Sequence, residues 1–207
     1  NSIDIELETF EAYCARVTSV SYQGRIYNTV AIGNQCWFKE NLNVGTRIDD
    51  DQMSTNNPTV EKYCFNNFSS NCDTYGGLYQ WDEAMKYVSA HSNQGLCPDG
   101  WHIPSHAEWC TMEQHLDPTV VCDDTGFRGT DIGTQLKVGG ASGFEALLAG
   151  QRQFNGTFDH LDFRGYFWTS TEVGILATMR YVVSNDARAY KWNTDKIYGF
   201  NVRCVLD

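Results

Sequence analysis

The chain has 207 residues, 42% of them hydrophobic and 20% charged, so it is long and apolar enough to fold around its own core, and wholesale disorder is excluded. Its 15 basic and 26 acidic side chains give a net charge of −11, which argues against a nucleic-acid partner because an acidic surface repels a phosphate backbone. The longest uncharged run, 26–38, is too short to cross a bilayer, so we expect no membrane insertion of this chain.

The first predicted element is a β-hairpin. Residues 17–22 and 25–32 are rich in β-branched and aromatic side chains, and Gln23-Gly24 between them provides a two-residue turn. A second turn at 33–35 leads into a short third strand at 36–38. These residues therefore predict a small antiparallel sheet near the start of the chain.

The next stretch, 43–71, contains turn-forming residues, polar residues and a short acidic run. Its composition is typical of a loop on the protein surface. We expect a surface excursion that is pinned by Cys64 and Cys72.

Helical periodicity is found in two places. Apolar residues recur at three- and four-residue spacing over 77–88, which predicts a first helix with one buried stripe. The second helix has clear boundary signals, because Ser105 and Glu108 form a capping-box pattern and Asp117-Pro118 ends the apolar face. The apolar face of this second helix consists of Trp109, Met112 and Leu116.

The tail of the chain is rich in β-forming residues after the Gly- and Asp-rich stretch 123–143. The turn residues Ser184-Asn185-Asp186 separate the third and fourth candidate strands. The predicted strands are 144–148, 165–169, 178–183, 187–192 and 200–205. The chain as a whole is therefore expected to be loop-rich, with short strands and two helices.

The chain contains eight cysteines, with no CxxC pair and no histidine at zinc-finger spacing. An even number of cysteines without metal spacing favours disulfides and an oxidising compartment, with buried free thiols in a cytosolic protein as the alternative. Eight cysteines allow on the order of one hundred connectivities, so the spacing alone leaves the pairing open.

Four long segments of the chain carry motifs in a fixed order: 25–42, 97–109 (with Cys97-Pro98-Asp99-Gly100-Trp101-His102-Ile103-Pro104), 165–172 (with Gly165-Tyr166-Phe167-Trp168-Thr169-Ser170) and 198–205 (with Gly199-Phe200-Asn201-Val202-Arg203-Cys204). Together they resemble the Fibrobacter succinogenes major paralogous domain, a family of bacterial secreted and surface modules. The resemblance covers about residues 20 to 207. We therefore divide the chain into an N-terminal extension, 1–18, and one domain, 19–207.

The resemblance implies an α+β, C-type-lectin-like fold, related to the variant found in formylglycine-generating enzymes, with two helices and small twisted antiparallel sheets stabilised by disulfides. It also implies the Cys97–Cys204 pair, because both cysteines belong to family motifs. The short local loops then favour Cys64–Cys72 and Cys110–Cys122, which leaves Cys14–Cys36. Some family members are variable proteins of diversity-generating retroelements, whose hypervariable residues form a ligand-binding face in the C-terminal strands and loops.

Bulky side chains alternate with polar ones along the third and fourth tail strands, so those on one strand share a face. They are either part of the core or an exposed patch. The second alternative is supported by the preference for Tyr, Trp and Met at interface centres. We interpret them as exposed ligand-binding residues, held on a rigid framework where the bulky side chains meet solvent rather than one another. The proposed binding residues are Ile175, Leu176, Met179, Tyr181, Tyr190, Lys191, Trp192 and Asn193.

The function hypothesis is a non-catalytic, adhesin-like recognition module on a bacterial cell surface or a phage tail. Its partner is expected to be a protein or glycan on a host or neighbouring cell. The alternative is a structural subunit of a surface or fimbrial assembly. The enzyme reading is disfavoured, because formylglycine generation uses two reactive cysteines late in the chain and only Cys204 lies there.

Cofactor binding is not expected. Trp192-Asn193-Thr194-Asp195 departs from the Trp-Asn-Asp motif of calcium-dependent sugar sites by one inserted residue, and the partner motif is missing. Asp123, Asp124 and Asp131 are interpreted as a solvated acidic loop, with a structural calcium site as the alternative. His102 lies in a family motif before a helix, which favours a structural, hydrogen-bonded role over a catalytic one.

Overall fold

The computed structural model of the chain describes residues 14, 16–88 and 94–207. Most of the predicted N-terminal extension, 1–18, lies outside the described residues. The described part of the chain forms thirteen strands in three sheets, four short α-helices and one 3-10 turn. This mixed composition agrees with the predicted combination of helices and antiparallel sheets, although it has more helices than the two predicted.

The first sheet has five strands. In spatial order they are β1 (Ser19–Tyr22), β2 (Arg25–Ile32), β3 (Gln35–Phe38), β13 (Val205–Leu206) and β6 (Trp101–His102). In the β1–β2 turn, Gln23 and Gly24 have φ angles of 48° and 75°, as a tight hairpin turn requires. Glycine adopts a positive φ angle without steric cost because it has no Cβ atom. The predicted hairpin and third strand are confirmed.

The second sheet has six strands and carries most of the tail. In spatial order they are β7 (Gly126–Arg128), β12 (Ala189–Asp195), β11 (Leu176–Val183), β10 (Arg164–Val173), β8 (Ala149–Arg152) and β9 (Phe158–Leu161). Strands β10, β11 and β12 form an antiparallel meander. Two predicted tail strands are wrong. Residues 144–148 make only an isolated bridge at Ala146, and of 200–205 only Val205 lies in a strand, because Phe200 and Asn201 bridge to two separate segments.

The excursion after the first sheet contains a two-stranded parallel pair, β4 (Thr46–Arg47) and β5 (Glu61–Lys62), and the 3-10 turn Phe65–Asn67. The predicted surface excursion is wrong for its last part, because Tyr63 and Phe65 are buried in a small apolar cluster with Leu78. The guanidinium of Arg152 lies 4.2 Å from the centre of the Tyr63 ring and donates hydrogen bonds to backbone carbonyls of the excursion.

The α-helices are α1 (Ser69–Tyr75), α2 (Trp81–Ala84), α3 (His106–Leu116) and α4 (Ile132–Leu136). Helix α3 is the second predicted helix, and both hydrogen bonds of its Ser105–Glu108 capping box are present. The helix predicted over 77–88 is wrong outside α2, because Leu78 and Tyr79 pair with Tyr63 and Phe200 instead. No helix in the described part of the chain is long and apolar enough to cross a membrane.

All eight cysteines form disulfides: Cys14–Cys36, Cys64–Cys72, Cys97–Cys204 and Cys110–Cys122. These are the four pairs favoured by the family resemblance and the loop lengths. The Cys97–Cys204 bridge closes the longest loop and ties the segment before α3 to the segment before β13.

Both faces of the central meander are covered. Trp168, Met179 and Tyr181 belong to one apolar cluster, whereas Phe167 and Val182, which alternate with them, belong to another that includes residues of α3. Because successive strand residues point to opposite faces, β10 and β11 lie between two layers of packed side chains. The edge strand β7 and its neighbour β12 present Phe127 and Trp192 to solvent.

Candidate functional site

Aromatic side chains form a direct cross-strand row across four neighbouring strands, which we call the tyrosine row. Tyr166 of β10 lies opposite Tyr181 of β11, Tyr181 opposite Tyr190 of β12, and Tyr190 opposite Phe127 of β7. The side chains become more exposed toward the sheet edge, since Tyr181 is 8% exposed, Tyr190 is half-buried and Phe127 is 39% exposed. The tyrosine row therefore starts in the core and ends in solvent.

A second row lies on the same face, two residues away from the first on each of three strands, and we call it the tryptophan row. Trp168 of β10 lies opposite Met179 of β11, and Met179 lies opposite Trp192 of β12. Its exposure follows the same trend, because Trp168 is fully buried, Met179 is 6% exposed and Trp192 is 48% exposed. We call Phe127, Tyr190 and Trp192 the solvent end of the two rows.

The rings of the rows pack on one another. Tyr181 and Tyr190 are stacked, with ring centres 4.3 Å apart, and Phe127 meets Tyr190 edge-on at 5.0 Å. The ring centre of Trp192 lies 6.4 Å from that of Tyr190. Distances of this size are those of favourable aromatic pairs, so each buried ring holds the next and the solvent end is fixed in position.

Two arginines flank the tyrosine row. The guanidinium of Arg164 lies 5.2 Å from the centre of the Tyr181 ring and donates a hydrogen bond to the Tyr166 hydroxyl. Arg188 lies 4.6 Å from the centre of the Phe127 ring, and its charge is paired with Asp186. Burial raises the pKa of Tyr181 to about 12, so this side chain is uncharged at neutral pH.

The opposite face of the same strands is held to α3 by buried charges. Glu113 of α3 accepts hydrogen bonds from Arg128 of β7 at 2.7 Å and from Arg180 of β11 at 2.9 Å. Lys191 of β12 is also buried on this face and donates to the backbone carbonyl of Asp123. Burial and the neighbouring arginines lower the pKa of Lys191. The adjacent strands β7, β12 and β11 are thus each held in place by a buried charged side chain on the face opposite the rows.

Three of the predicted binding residues do not face solvent, and the expectation of exposure is wrong for Met179, Tyr181 and Lys191. Met179 and Tyr181 are covered because both side chains pack into the apolar cluster that lies on this face of the sheet. Lys191 points to the opposite face from Tyr190 and Trp192, since strand residues alternate.

The other predicted binding residues are placed as follows. Trp192 and Tyr190 are at the solvent end of the rows. Ile175, at the tip of the β10–β11 hairpin, is 86% exposed, and the neighbouring Leu176 is half-buried. Asn193 lies on the α3 side of β12, where its side-chain oxygen accepts a hydrogen bond from the Thr178 hydroxyl at 2.9 Å. Trp192 and Asn193 therefore point to opposite faces and do not share a sugar-binding geometry.

Phe127 is a residue of the solvent end that the sequence did not indicate. Its strand is only three residues long and includes Gly126, so it carries no alternating pattern that could have indicated a strand. Its place in the tyrosine row is set by pairing with β12, a contact between residues far apart in the chain.

The acidic loop shows no arrangement suited to a metal. No group of three His, Cys, Asp or Glu residues within the described ranges could hold an ion, and Asp123, Asp124 and Asp131 do not form such a group. The organising carboxylate of this region is Asp117, which accepts hydrogen bonds from the backbone amides of Thr130, Asp131 and Ile132. These and related hydrogen bonds outweigh burial and hold the pKa of Asp117 far below its usual value.

His102 has a structural geometry. Its Nε2 atom lies 2.6 Å from Glu108 of the capping box, and its Nδ1 atom lies 2.5 Å from Asp207. Burial lowers the pKa of His102, but the hydrogen bonds to the two carboxylates outweigh burial and raise it above the usual value. His102 therefore joins β6, α3 and the segment after β13.

The solvent end of the rows lies outside the cavities that described residues bound. Three cavities bounded by described residues, with volumes of about 490, 180 and 600 Å³, lie away from the rows and include none of their side chains. Exposed aromatic side chains outside these cavities suit contact with another surface better than enclosure of a small molecule.

Comparison with known proteins gave one result. The model of the family described as the Fibrobacter succinogenes major domain matches residues 30–206, nearly the whole chain. No curated protein and no solved structure matched. The matched range includes both rows and every strand from β3 to β13, and it confirms the resemblance indicated by the sequence motifs.

Proposed function

The chain belongs to the Fibrobacter succinogenes major domain family, and we propose that it is a non-catalytic, extracellular recognition module that binds its partner through the solvent end of the two aromatic rows. The residues proposed to contact the partner are Phe127, Tyr190 and Trp192, with Ile175 at the adjoining hairpin tip. The proposed partner is a protein or glycan on a host or neighbouring cell.

The observation that carries the proposal is the gradient of exposure along each row. Large, rigid side chains at the solvent end are backed by buried rings of the same row, so they offer contact area without a large loss of side-chain entropy on binding. Trp and Tyr are also the residue types that contribute most at interface centres. A purely structural sheet edge has no need of an exposed tryptophan, because short or charged residues protect an edge equally well.

Two further features support a rigid recognition scaffold. The Glu113 cluster fixes β7 and β11 from behind, and four disulfides cross-link the chain. Disulfides are common in oxidising, extracellular environments, which supports the proposed location on a cell surface or phage tail. We also propose the finer fold assignment, a C-type-lectin-like architecture, on the family resemblance.

The absence of free thiols supports a non-catalytic role. Cys204 is fully buried and bonded to Cys97, and all eight cysteines are paired. Chemistry of the formylglycine-generating type needs free, reactive cysteines. The carboxylates of Glu113 and Asp117 and the imidazole of His102 are engaged in structural hydrogen bonds.

A finer proposal rests on the family resemblance alone: this chain is the variable protein of a diversity-generating retroelement. The structure separates residues that could change freely, such as Ile175 and Trp192, from buried ones of the same strands, such as Met179. Variation at the solvent end would alter the contact surface while the inner rings keep the fold.

The proposal is tested by binding of the fluorescently labelled chain to a glycan array and to intact bacterial cells, with and without protease treatment. We expect Trp192→Ala and Ile175→Ser to reduce binding at least tenfold. Phe68→Ala is the matched control, because Phe68 is an exposed aromatic residue outside the rows and its loss should leave binding unchanged. Protease-sensitive cell binding would identify a protein partner, and array binding a glycan.

Equal binding by wild type, Trp192→Ala and Ile175→Ser would contradict the proposal. Size-exclusion chromatography checks the structural-subunit alternative. A discrete oligomer that dissociates in Trp192→Ala would mean that the rows bind another copy of this chain.

A further inference from the structure

A lysine and an asparagine side chain meet in the excursion, outside the aromatic rows. The Nζ atom of Lys62, in β5, lies 2.5 Å from Oδ1 of Asn43, in the segment between β3 and β4. Asn43 is 5% exposed, and Lys62 is half-buried. A lysine amine held against a buried carboxamide is the starting arrangement for amide exchange between the two side chains.

The asparagine is held firmly. Its Nδ2 atom donates to the backbone carbonyl of Cys72 at 2.7 Å, and its backbone amide donates to the Tyr27 hydroxyl at 3.1 Å. Cys72 is bonded to Cys64, two residues after Lys62. The same disulfide therefore supports both reacting side chains, which reduces the freedom that must be lost before reaction.

The separation suits nucleophilic attack. Because Cγ lies about 1.2 Å from Oδ1, the Lys62 Nζ atom lies between about 2.8 and 3.7 Å from the Asn43 carbonyl carbon. This range includes the near-attack distance of about 3–3.5 Å.

The environment also favours the neutral amine. Burial, with a smaller contribution from Arg25, lowers the pKa of Lys62 to about 8, and Asp73 opposes this shift. About a tenth of the amine is then unprotonated at pH 7, and only the unprotonated amine is a nucleophile. Glu40 and Asp73 line the 180 Å³ cavity next to Asn43, through which ammonia can leave.

We propose that Lys62 and Asn43 condense after folding to form an intramolecular isopeptide bond. The amine nitrogen attacks Cγ of Asn43, the bond between Cγ and Nδ2 breaks, and one amine proton moves to the departing nitrogen. The products are one new amide and one ammonia, so the step needs no oxidant, cofactor or other reactant. The bond closes a loop over residues 44–61, next to the loop closed by Cys64–Cys72.

Peptide mapping of the reduced, alkylated wild-type protein tests this directly. The expected result is a mass lower than the sequence mass by one ammonia, with tryptic peptide 40–47 joined to 48–86, because trypsin does not cleave after an acylated lysine. Lys62→Arg and Asn43→Ala should each restore the full mass and release peptide 40–47. Lys86→Arg, which changes an exposed lysine, should keep the ammonia loss.

A free peptide 40–47 and normal cleavage after Lys62 in the wild-type protein would overturn the proposal. So would an ammonia loss confined to peptide 153–164, because Asn155 precedes Gly156 there and can form a succinimide. The wild-type map decides the question even if a variant does not fold.

Discussion

The segment around Arg203 and the solvent end of the aromatic rows both contain large side chains, but they differ in what holds those side chains in place. Arg203 is fully buried and donates to the Asn41 side chain and to the carbonyls of Phe38, Phe144 and Glu145, at 2.6 to 3.0 Å. Phe127 and Trp192, by contrast, are held by ring contacts with the neighbouring strand residues.

This difference determines which residues can change. Each partner of Arg203 is a buried acceptor that would be left unpaired by substitution, so the position tolerates little else. A ring contact at the sheet edge has no such requirement, since another bulky side chain can replace it and water can fill the space. The Arg203 segment therefore behaves as the scaffold, and the solvent end of the rows as the adaptable surface.

The largest expected effect is that of Arg203→Met. It removes the donors to three backbone carbonyls and to Asn41, and a thioether cannot replace them. We expect a loss of about 3–5 kcal/mol in the free energy of unfolding, measured by guanidinium denaturation. Arg188→Met is the control, because Arg188 is exposed and should change stability little. Similar losses in both variants would remove the distinction between scaffold and surface.

A second prediction compares two residues of the tryptophan row. Met179→Ala should cost about 2–4 kcal/mol in unfolding free energy, because it opens a cavity beside Trp168, whereas Trp192→Ala should cost under about 1 kcal/mol. Binding should show the reverse order, with the larger loss in Trp192→Ala. A stability loss as large for Trp192→Ala as for Met179→Ala would place Trp192 in the core.

Local signals in the sequence predicted the elements that depend on them. The Gln23-Gly24 turn and the Ser105–Glu108 capping box need only a few adjacent residues, and both are present in the structure. The helix predicted from the apolar stripe over 77–88 was wrong because burial in this segment is set by residues far away in the chain. Leu78 and Tyr79 pair with other segments, and the indole of Trp81 donates to the carbonyl of Thr169.

The candidate site was predictable in part. Alternation along β11 and β12 correctly places Tyr181 with Met179 on one face, and Tyr190 with Trp192 on the same face. Which of them reach solvent depends on strand order, because β11 lies between β10 and β12 and is covered. Strand order is set by contacts between residues far apart in the chain, so no pattern within one strand could have revealed it.

The smallest expected effect uses pH to act on the scaffold alone. Burial raises the pKa of Tyr166 and Tyr181 in the tyrosine row, away from neutral pH, whereas His102 lies between Glu108 and Asp207. Burial lowers the pKa of His102, but the hydrogen bonds to the two carboxylates raise it above the unfolded value of about 6.5. Glu108, with a pKa of about 2, stays charged throughout.

Because the folded pKa of His102 is the higher one, its contribution to stability is complete below about pH 6.5 and is lost as pH rises through the folded pKa. We expect wild type to exceed His102→Gln in unfolding free energy by about 1 kcal/mol at mildly acidic pH, and the difference to shrink toward pH 8. The measured quantity is the difference in unfolding free energy between wild type and His102→Gln. Burial lowers the pKa of His106 and gives that residue the opposite pH dependence, and the subtraction removes this contribution because both proteins contain His106. A difference that does not change with pH would mean that the pKa of His102 is the same in the folded and unfolded protein, and that its two carboxylate contacts do not depend on its charge.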